Sequence, residues 1–264
     1  DTGREVWPGG ITSLMFNNYD DIALPIDADT LQPATSNLEA HAITDRAAGR
    51  DFYGAIIRTL ETAGGYIKGI PGEPMTDGRR RYYILAYDWR QDNVRTARRL
   101  DELITRIRTD YANPGLKVDI VAHSMGGLAT RYYLRYGTLD VLDGNDFPMS
   151  ERSTTRVRKV ILLGTPNLGS VSGLNEFLQG FKVGLRRIPT ETFATMPSAY
   201  QLFPHPIRSA LVSADGEVLD RDLFDAQIWR AFQWSIFDPR VRERIIKRFP
   251  DPEQGAAYLA LLER

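Results

Sequence analysis

The sequence contains no cysteine, which excludes disulfide bonds, thiolate catalysis and cysteine-ligated metal. It has no run of 18 apolar residues, so no segment predicts a membrane-spanning helix. Its 33 basic and 34 acidic side chains give a net charge of −1, whereas a general nucleic-acid binder usually carries a basic excess. We therefore expect no nucleic-acid partner. With only three histidines, no carboxylate cluster at ligand spacing and no phosphate-binding loop, we expect no metal and no cofactor.

The chain nevertheless has enough apolar material for a folded α/β protein. Its 264 residues are 42% hydrophobic and 25% charged, and this composition is ordinary for a globular chain. That length accommodates one domain with a sizeable core or two small domains.

Strand and helix patterns alternate through the middle of the chain. The predicted elements are a strand at Arg81–Tyr87, a helix at Asn93–Tyr111, a strand at Leu116–Ala122, a helix at Gly127–Tyr136 and a strand at Val157–Leu163. Such alternation predicts a parallel sheet, whose carboxyl strand ends usually form the functional site. The residues at those ends are Asp88-Trp89-Arg90, His123-Ser124-Met125 and Thr165-Pro166-Asn167.

The segment from Ala122 to Gly127 is typical of a nucleophile elbow. Ser124 lies between a predicted strand and a predicted helix, and its neighbours Ala122, Gly126 and Gly127 are small enough for the sharp turn. The backbone N–H of Met125 would then lie at the helix N-terminus, where it favours a developing oxyanion. The alternative is a serine in an ordinary glycine-rich turn. Because strand, helix and small residues agree, we favour Ser124 as a nucleophile.

Four segments, the elbow among them, narrow the interpretation when they are taken in order. They are Tyr87-Asp88-Trp89-Arg90, the elbow followed by Arg131-Tyr132-Tyr133-Leu134, Leu163-Gly164-Thr165-Pro166-Asn167-Leu168-Gly169-Ser170, and Met196-Pro197-Ser198 through Leu202-Phe203-Pro204. Together they resemble the lecithin:cholesterol acyltransferase-like α/β-hydrolases, a family that includes phospholipid:diacylglycerol acyltransferases, a lysosomal phospholipase and bacterial relatives. Glu5-Val6-Trp7-Pro8 also resembles the family's tryptophan segment. The resemblance extends from about residue 5 to about residue 250.

The resemblance implies a serine acyl hydrolase or O-acyltransferase that acts on a lipid ester. Ser124 would form an acyl-enzyme, and the N–H of Met125 would supply half of the oxyanion hole. Ala122 stands where the family pattern has a first glycine, and it keeps that position small. The expected partners are a lipid ester and a membrane or lipoprotein surface. Pro8-Gly9-Gly10 is a candidate for the other oxyanion segment, although we favour a simple turn there.

The same resemblance predicts the domain organisation. We expect an α/β-hydrolase core with a parallel sheet over residues 1–170, and a helical cap or lid over residues 171–264. The motif order places these residues in the central part of that fold. The first residue is Asp1 rather than methionine, and the last helix, from Asp251, has no glycine stop signal. Both features agree with an incomplete hydrolase.

A serine hydrolase of this fold needs an acid and then a histidine after the serine. His41 precedes Ser124, and His123 adjoins it, where reaching back is difficult. His205 is the only histidine that follows, and no acid ends a predicted strand before it. We therefore expect the catalytic acid and base outside this chain, and we interpret His205 as part of a rigid loop.

The remaining candidates concern the substrate pocket. Asp88, Trp89 and His123 are candidate pocket residues. The alternative for Asp88 is a purely structural role as a helix cap. Apolar residues from Leu174 to Ile188, among them Phe177 and Phe181, fall on one helical face, while Lys182, Arg186 and Arg187 lie off it. This pattern predicts a basic amphipathic helix that covers a lipid pocket or lies on a membrane. The alternative is an ordinary helix packed on the domain.

Two other functions remain open at this point. One is a non-lipid carboxylesterase or thioesterase of the same fold, which a small polar pocket would favour. The other is a non-catalytic module that binds a lipid or a partner, which labelling of the serine by a fluorophosphonate would oppose.

Overall fold

A computed structural model describes residues 6–7, 19–34, 36–43, 46–47, 50–183, 185–207 and 209–264. The chain divides into two compact units. The first, here called the elbow unit, consists of Glu39–Trp89 and Asn93–Pro166. The second, called the aromatic unit, consists of the described residues up to Leu38 together with Arg90–Asp92 and Asn167–Arg264.

The elbow unit contains six strands and four helices among its described residues. In chain order they are β1 (Arg46–Ala47), β2 (Arg50–Asp51), α1 (Gly54–Thr62), β3 (Ile67–Lys68), β4 (Arg81–Tyr82), α2 (Asn93–Asp110), β5 (Val118–His123), α3 (Met125–Tyr136), α4 (Glu151–Arg156) and β6 (Val157–Leu163).

The centre of the elbow unit is the parallel pair β5 and β6, which the alternating pattern predicted. Ile120 pairs with Val160 and His123 with Leu163, and α3 and α4 lie between the two strands in the chain. The helices α2 and α3 pack together around Ala97, Leu100, Ile104 and Tyr133, with Val157 at the start of β6. This β–α–β arrangement carries the elbow.

The structure corrects the predicted strand Arg81–Tyr87. Only Arg81 and Tyr82 form a strand, and they pair in parallel with Ile67 and Lys68 of β3. The described strands form four separate two-stranded sheets instead of one continuous parallel sheet. The physical reason is that a strand needs ladder hydrogen bonds from a neighbour, and an apolar run by itself does not supply that neighbour.

Besides two 3₁₀ helices, Asp20–Ile22 and Ser235–Phe237, the described aromatic unit contains the remaining two strands and six α-helices. They are α5 (Val171–Gln179), β7 (Phe181–Val183), β8 (Arg186–Ile188), α6 (Thr190–Phe193), α7 (Pro197–Tyr200), α8 (Ala226–Ala231), α9 (Pro239–Lys247) and α10 (Pro252–Glu263). Two helix starts follow from local sequence: Asp238 and Asp251 accept backbone hydrogen bonds as N-caps, each followed by proline at the first helical position.

The structure also corrects the predicted amphipathic helix from Leu174 to Ile188. Helix α5 ends at Gln179, and Gly180 follows with a φ of 77°. The chain then forms an antiparallel hairpin, with Phe181 paired to Ile188 and Lys182 to Arg187. Glycine tolerates positive φ, and Phe181, Val183 and Ile188 after it favour a strand. The helical spacing therefore continues in the sequence but not in the backbone.

An aromatic cluster forms the core of this unit. The ring of Phe177, on α5, lies 5.0 Å from that of Tyr200, 5.1 Å from Phe203 and 5.4 Å from Trp229. The indole N–H of Trp229 donates to the carbonyl of Leu223 at 2.7 Å. Within the described ranges, no helix has the length and apolar character needed to span a bilayer.

Candidate active site

Ser124 occupies a sharp turn between β5 and α3. Its backbone N–H donates to the carbonyl of Leu163 at 2.8 Å, which extends the β5–β6 pairing by one residue. Its own carbonyl accepts from the N–H of Gly127 at 2.9 Å, in the first turn of α3. Strand and helix therefore hold the serine from both sides, and its side chain is half-buried.

The backbone at Ser124 is strained. Its φ is 53° and its ψ is −127°, a region that residues other than glycine rarely adopt. Such strain persists only where the surrounding structure imposes it, and it is typical of functional sites. This geometry agrees with the predicted nucleophile elbow.

Gly127 is required by the close approach of another loop. A Cβ at this position would lie 1.9 Å from Oγ1 of Thr165, which follows β6. At Gly126 the nearest atom to a Cβ would be the hydroxyl of Tyr87, at an ordinary 3.5 Å. The loop after β6 therefore lies against the N-terminal turn of α3. Among the described residues, the buried Thr165 Oγ1 has no hydrogen-bond partner.

His123 is held by a tyrosine from another part of the elbow unit. The hydroxyl of Tyr53 lies 2.9 Å from Nδ1 of His123, and the two rings meet edge to face with centroids 5.6 Å apart. His123 is exposed. Within the described part of the chain, no hydrogen bond joins Ser124 Oγ to a histidine. The Nδ1 atom of His123 bonds to Tyr53 instead, so this structure does not place His123 as the general base.

Two phenols near the elbow are protonated at neutral pH. Burial raises the pKa of Tyr53. Burial, with a smaller effect from neighbouring Tyr53, raises the pKa of Tyr87 to about 12. Both hydroxyls therefore remain hydrogen-bond donors over the whole physiological range, and neither can serve as a general base there.

The other predicted pocket residues are distributed over both units. Asp88 and Trp89 are half-buried in the elbow unit, and α2 begins at Asn93, so its capping position falls at Asp92 rather than Asp88. Phe177 and Phe181 belong to the aromatic unit, where Phe177 is buried in the aromatic cluster and Phe181 begins β7.

His205 lies in a local turn of the aromatic unit. Its N–H donates to the carbonyl of Leu168 at 2.9 Å, and its Nδ1 accepts from the N–H of Ile207 at 3.1 Å. These contacts agree with the interpretation as part of a rigid loop. The candidate oxyanion segment Pro8-Gly9-Gly10 lies outside the described residues. Of the tryptophan segment, Trp7 is described, and its ring meets that of Tyr19 edge-on at 5.6 Å.

Comparison with known proteins decides the relationship. The family model for lecithin:cholesterol acyltransferase matches residues 79–237, more than half of the chain. The chain belongs to the lecithin:cholesterol acyltransferase family. No curated protein matches it.

Membership of the lecithin:cholesterol acyltransferase family implies an α/β-hydrolase fold and an acyltransferase or hydrolase that works on lipid. The matched region contains all four segments that predicted the family: Tyr87–Arg90, the elbow through Leu134, Leu163–Ser170 and Met196–Pro204. In the described part of this family member, no group of three or more His, Asp or Glu side chains is placed to hold a metal.

Sequence reasoning missed Tyr53 and the packing role of Thr165. Tyr53 lies 70 positions before its partner His123, outside any motif, so no local signal connects the two. Thr165 belongs to the quoted Gly-Thr-Pro segment, but only the tertiary structure brings it against Gly127.

Proposed function

We propose that this protein is a serine acyl hydrolase or O-acyltransferase that acts on lipid esters through an acyl-enzyme on Ser124. The observation that carries the proposal is the strained Ser124 between β5 and α3, in a chain of the lecithin:cholesterol acyltransferase family. Ser124 Oγ attacks the ester carbonyl, and the lipid alcohol leaves. Water or a second alcohol then accepts the acyl group.

The first turn of α3 supports the developing negative charge. Met125 is the first residue of this 12-residue helix, so its N–H is among the four that have no partner within the helix. The helix dipole adds positive potential at the same end. We assign the N–H of Met125 to the oxyanion, as half of the oxyanion hole.

Asp88, Trp89 and His123 are the proposed pocket residues of the elbow unit. His123 ends β5 directly before Ser124, and Asp88 and Trp89 follow Tyr87 in the loop before α2. None of the three is fully buried. The hydrogen bond between the Tyr53 hydroxyl and Nδ1 of His123 orients the ring of His123, the residue before Ser124. We propose that this pair shapes the mouth of the pocket and does not transfer protons.

We propose that the catalytic acid and base come from outside these residues. Two observations support this. No histidine bonds to Ser124 in the described part of the chain, and the β5–β6 pair exposes apolar side chains at Val121, Ile161 and Leu163. Exposed apolar faces of parallel strands are normally covered by further chain.

Labelling by a fluorophosphonate tests the nucleophile. The product of the complete open reading frame should be labelled at Ser124 and should release fatty acid from phospholipid or acylglycerol. Ser124→Ala should abolish both signals, while Ser213→Ala, in an exposed turn, should leave them unchanged. Labelling at another residue, or lipid cleavage that survives Ser124→Ala, would overturn the proposal.

The 264-residue chain alone should turn over a short-chain nitrophenyl ester at least about 100-fold more slowly than the complete product, since a general base contributes about 10²–10⁴-fold. A fast rate that Ser124→Ala abolishes would show that the base lies within the chain. An acyl-chain-length series separates lipid ester from non-lipid ester substrates, because a non-lipid esterase would prefer short chains.

A further inference from the structure

The β7–β8 hairpin of the aromatic unit carries an exposed apolar tip between basic residues. Leu185 lies at its turn with 76% of its surface exposed. Lys182 pairs across the hairpin with Arg187, and Val183 pairs with Arg186. Val183 and Ile188 are buried, whereas Lys182, Arg186 and Arg187 are exposed. The hairpin thus presents one leucine and three cations to solvent.

An open groove of about 870 Å³ borders this hairpin and helix α9. Among the described residues that line it, seven are basic and three are acidic. The basic residues are Lys182, Arg186, Arg187, Arg240, Arg244, Lys247 and Arg248, and the acidic residues are Asp20, Glu191 and Glu243. This excess contrasts with the whole chain, whose net charge is −1.

Within the described residues, carboxylates pair with the cations on the α9 side of the groove. Four ion pairs lie there: Arg244 with Glu191, Lys247 with Glu243, Arg248 with Asp20 and Arg240 with Asp238. On the hairpin side, Arg187 donates to the carbonyls of Gln179 and Gly180, which are neutral groups. Neither of these two contacts of Arg187 neutralises its positive charge.

We propose that this hairpin and groove form a docking surface for an anionic lipid bilayer. Leu185 enters the interface between head groups and acyl chains, and Lys182, Arg186 and Arg187 contact lipid phosphates, one of which the groove can hold. Exposed apolar side chains flanked by cations are the combination that binds anionic membranes, because each contributes separately. An acidic peptide or other soluble polyanion would use the cations alone and would gain nothing from Leu185.

This inference rests on the proposed function in one respect, since lipid ester substrates reside in such bilayers. Its test does not require catalysis. The complete protein with Ser124→Ala is sedimented with vesicles of phosphatidylcholine alone, or of phosphatidylcholine with about 30% phosphatidylserine. We expect binding to the anionic vesicles, weakened when salt rises from about 0.1 M to about 1 M, because the screening length falls from about 10 Å to about 3 Å.

Three variants test the residues of the hairpin. Lys182→Glu with Arg186→Glu should lower binding to the anionic vesicles at least tenfold, and Leu185→Ser should lower it about tenfold. The neutral pair Lys182→Gln with Arg186→Gln should give an intermediate loss. The matched controls are Arg95→Glu with Arg99→Glu, two exposed cations of α2, and Leu142→Ser, whose side chain is 75% exposed.

Equal binding to neutral and anionic vesicles would overturn the proposal, as would equal losses for the hairpin variants and their controls. If the charge variants weaken vesicle binding but Leu185→Ser has no larger effect than Leu142→Ser, the bilayer proposal is contradicted. The surface would then suit a soluble polyanion. Circular dichroism confirms that each variant is folded. If docking fails while the fluorophosphonate still labels Ser124 in the active protein, only this inference is lost.

Discussion

At the scale of single residues, the elbow depends on how closely the loop after β6 approaches the first turn of α3. The loop after β6 brings the side chain of Thr165 against Gly127, while Gly126, one position earlier, faces only the hydroxyl of Tyr87. Ser124 adopts its strained φ between these contacts. The two glycines therefore have different roles: Gly127 has no room for a side chain, and Gly126 has room for a methyl group.

Gly127→Ala and Gly126→Ala form a matched pair that tests this difference. We expect Gly127→Ala to lower the free energy of unfolding by about 1–3 kcal/mol, because the new methyl group overlaps Thr165. Gly126→Ala should be neutral or should stabilise by up to about 1 kcal/mol, since alanine favours a helix. Urea denaturation measures both. Adding Thr165→Gly to Gly127→Ala should recover part of the loss, and strictly additive effects would contradict the proposed contact.

At the scale of elements, a buried carboxylate joins three helices of the elbow unit. Asp101, on α2, is 5% exposed and accepts hydrogen bonds from Tyr133 on α3 and from Arg152 and Arg156 on α4. Burial alone would raise the pKa of Asp101. The hydrogen bonds from Arg152 and Tyr133, and the charges of both arginines, outweigh burial and hold that pKa below 3.8. Asp101 is therefore ionised at neutral pH.

This network predicts a pH dependence of stability. Because the pKa of Asp101 is lower in the folded state, its stabilisation is complete above the unfolded value near 3.8 and is lost as pH falls through the folded value. We expect Asp101→Asn to lower the free energy of unfolding by about 1–3 kcal/mol at pH 7. The difference from the wild type should narrow below about pH 4.

Asp119→Asn is the control for this experiment. Asp119 pairs with Arg158 between β5 and β6, but both side chains are well exposed, so its loss should cost less than about 1 kcal/mol. Urea titrations at pH 7 and pH 3 compare the two variants. A constant difference between Asp101→Asn and the wild type across that range would show that the carboxylate charge is not the stabilising feature.

At the scale of the whole molecule, the chain forms two units with separate cores. The elbow unit packs α2 and α3 against the start of β6, and the aromatic unit packs rings around Phe177. Phe177 is 4% exposed, so its side chain contributes to a core. In this structure Phe177 therefore belongs to the packed core, and its role in a lid over a lipid pocket stays a prediction. Exposed apolar and basic groups occur together instead at the hairpin that follows.

Phe177→Ala tests the independence of the two cores. We expect it to destabilise the aromatic unit by about 3–5 kcal/mol, the usual cost of removing a buried ring. Phe224→Ala, whose side chain is 56% exposed, should cost less than about 1 kcal/mol. Hydrogen exchange should accelerate in α5 and α8 and remain slow in β5 and α2. Equal acceleration in both units would show that they unfold together.

The sequence by itself determined the local features of this protein. The strand–serine–helix order, the small residues around Ser124, the N-caps Asp238 and Asp251 and the family motifs all depend on neighbouring residues, so they could be predicted. Only the tertiary structure decided the pairing of Arg81–Tyr82 with Ile67–Lys68, the hairpin after Gly180 and the contacts of Tyr53 and Thr165. Strand ladders and side-chain contacts between distant segments require a partner that periodicity does not identify, and a single glycine can end a helix whose apolar spacing continues.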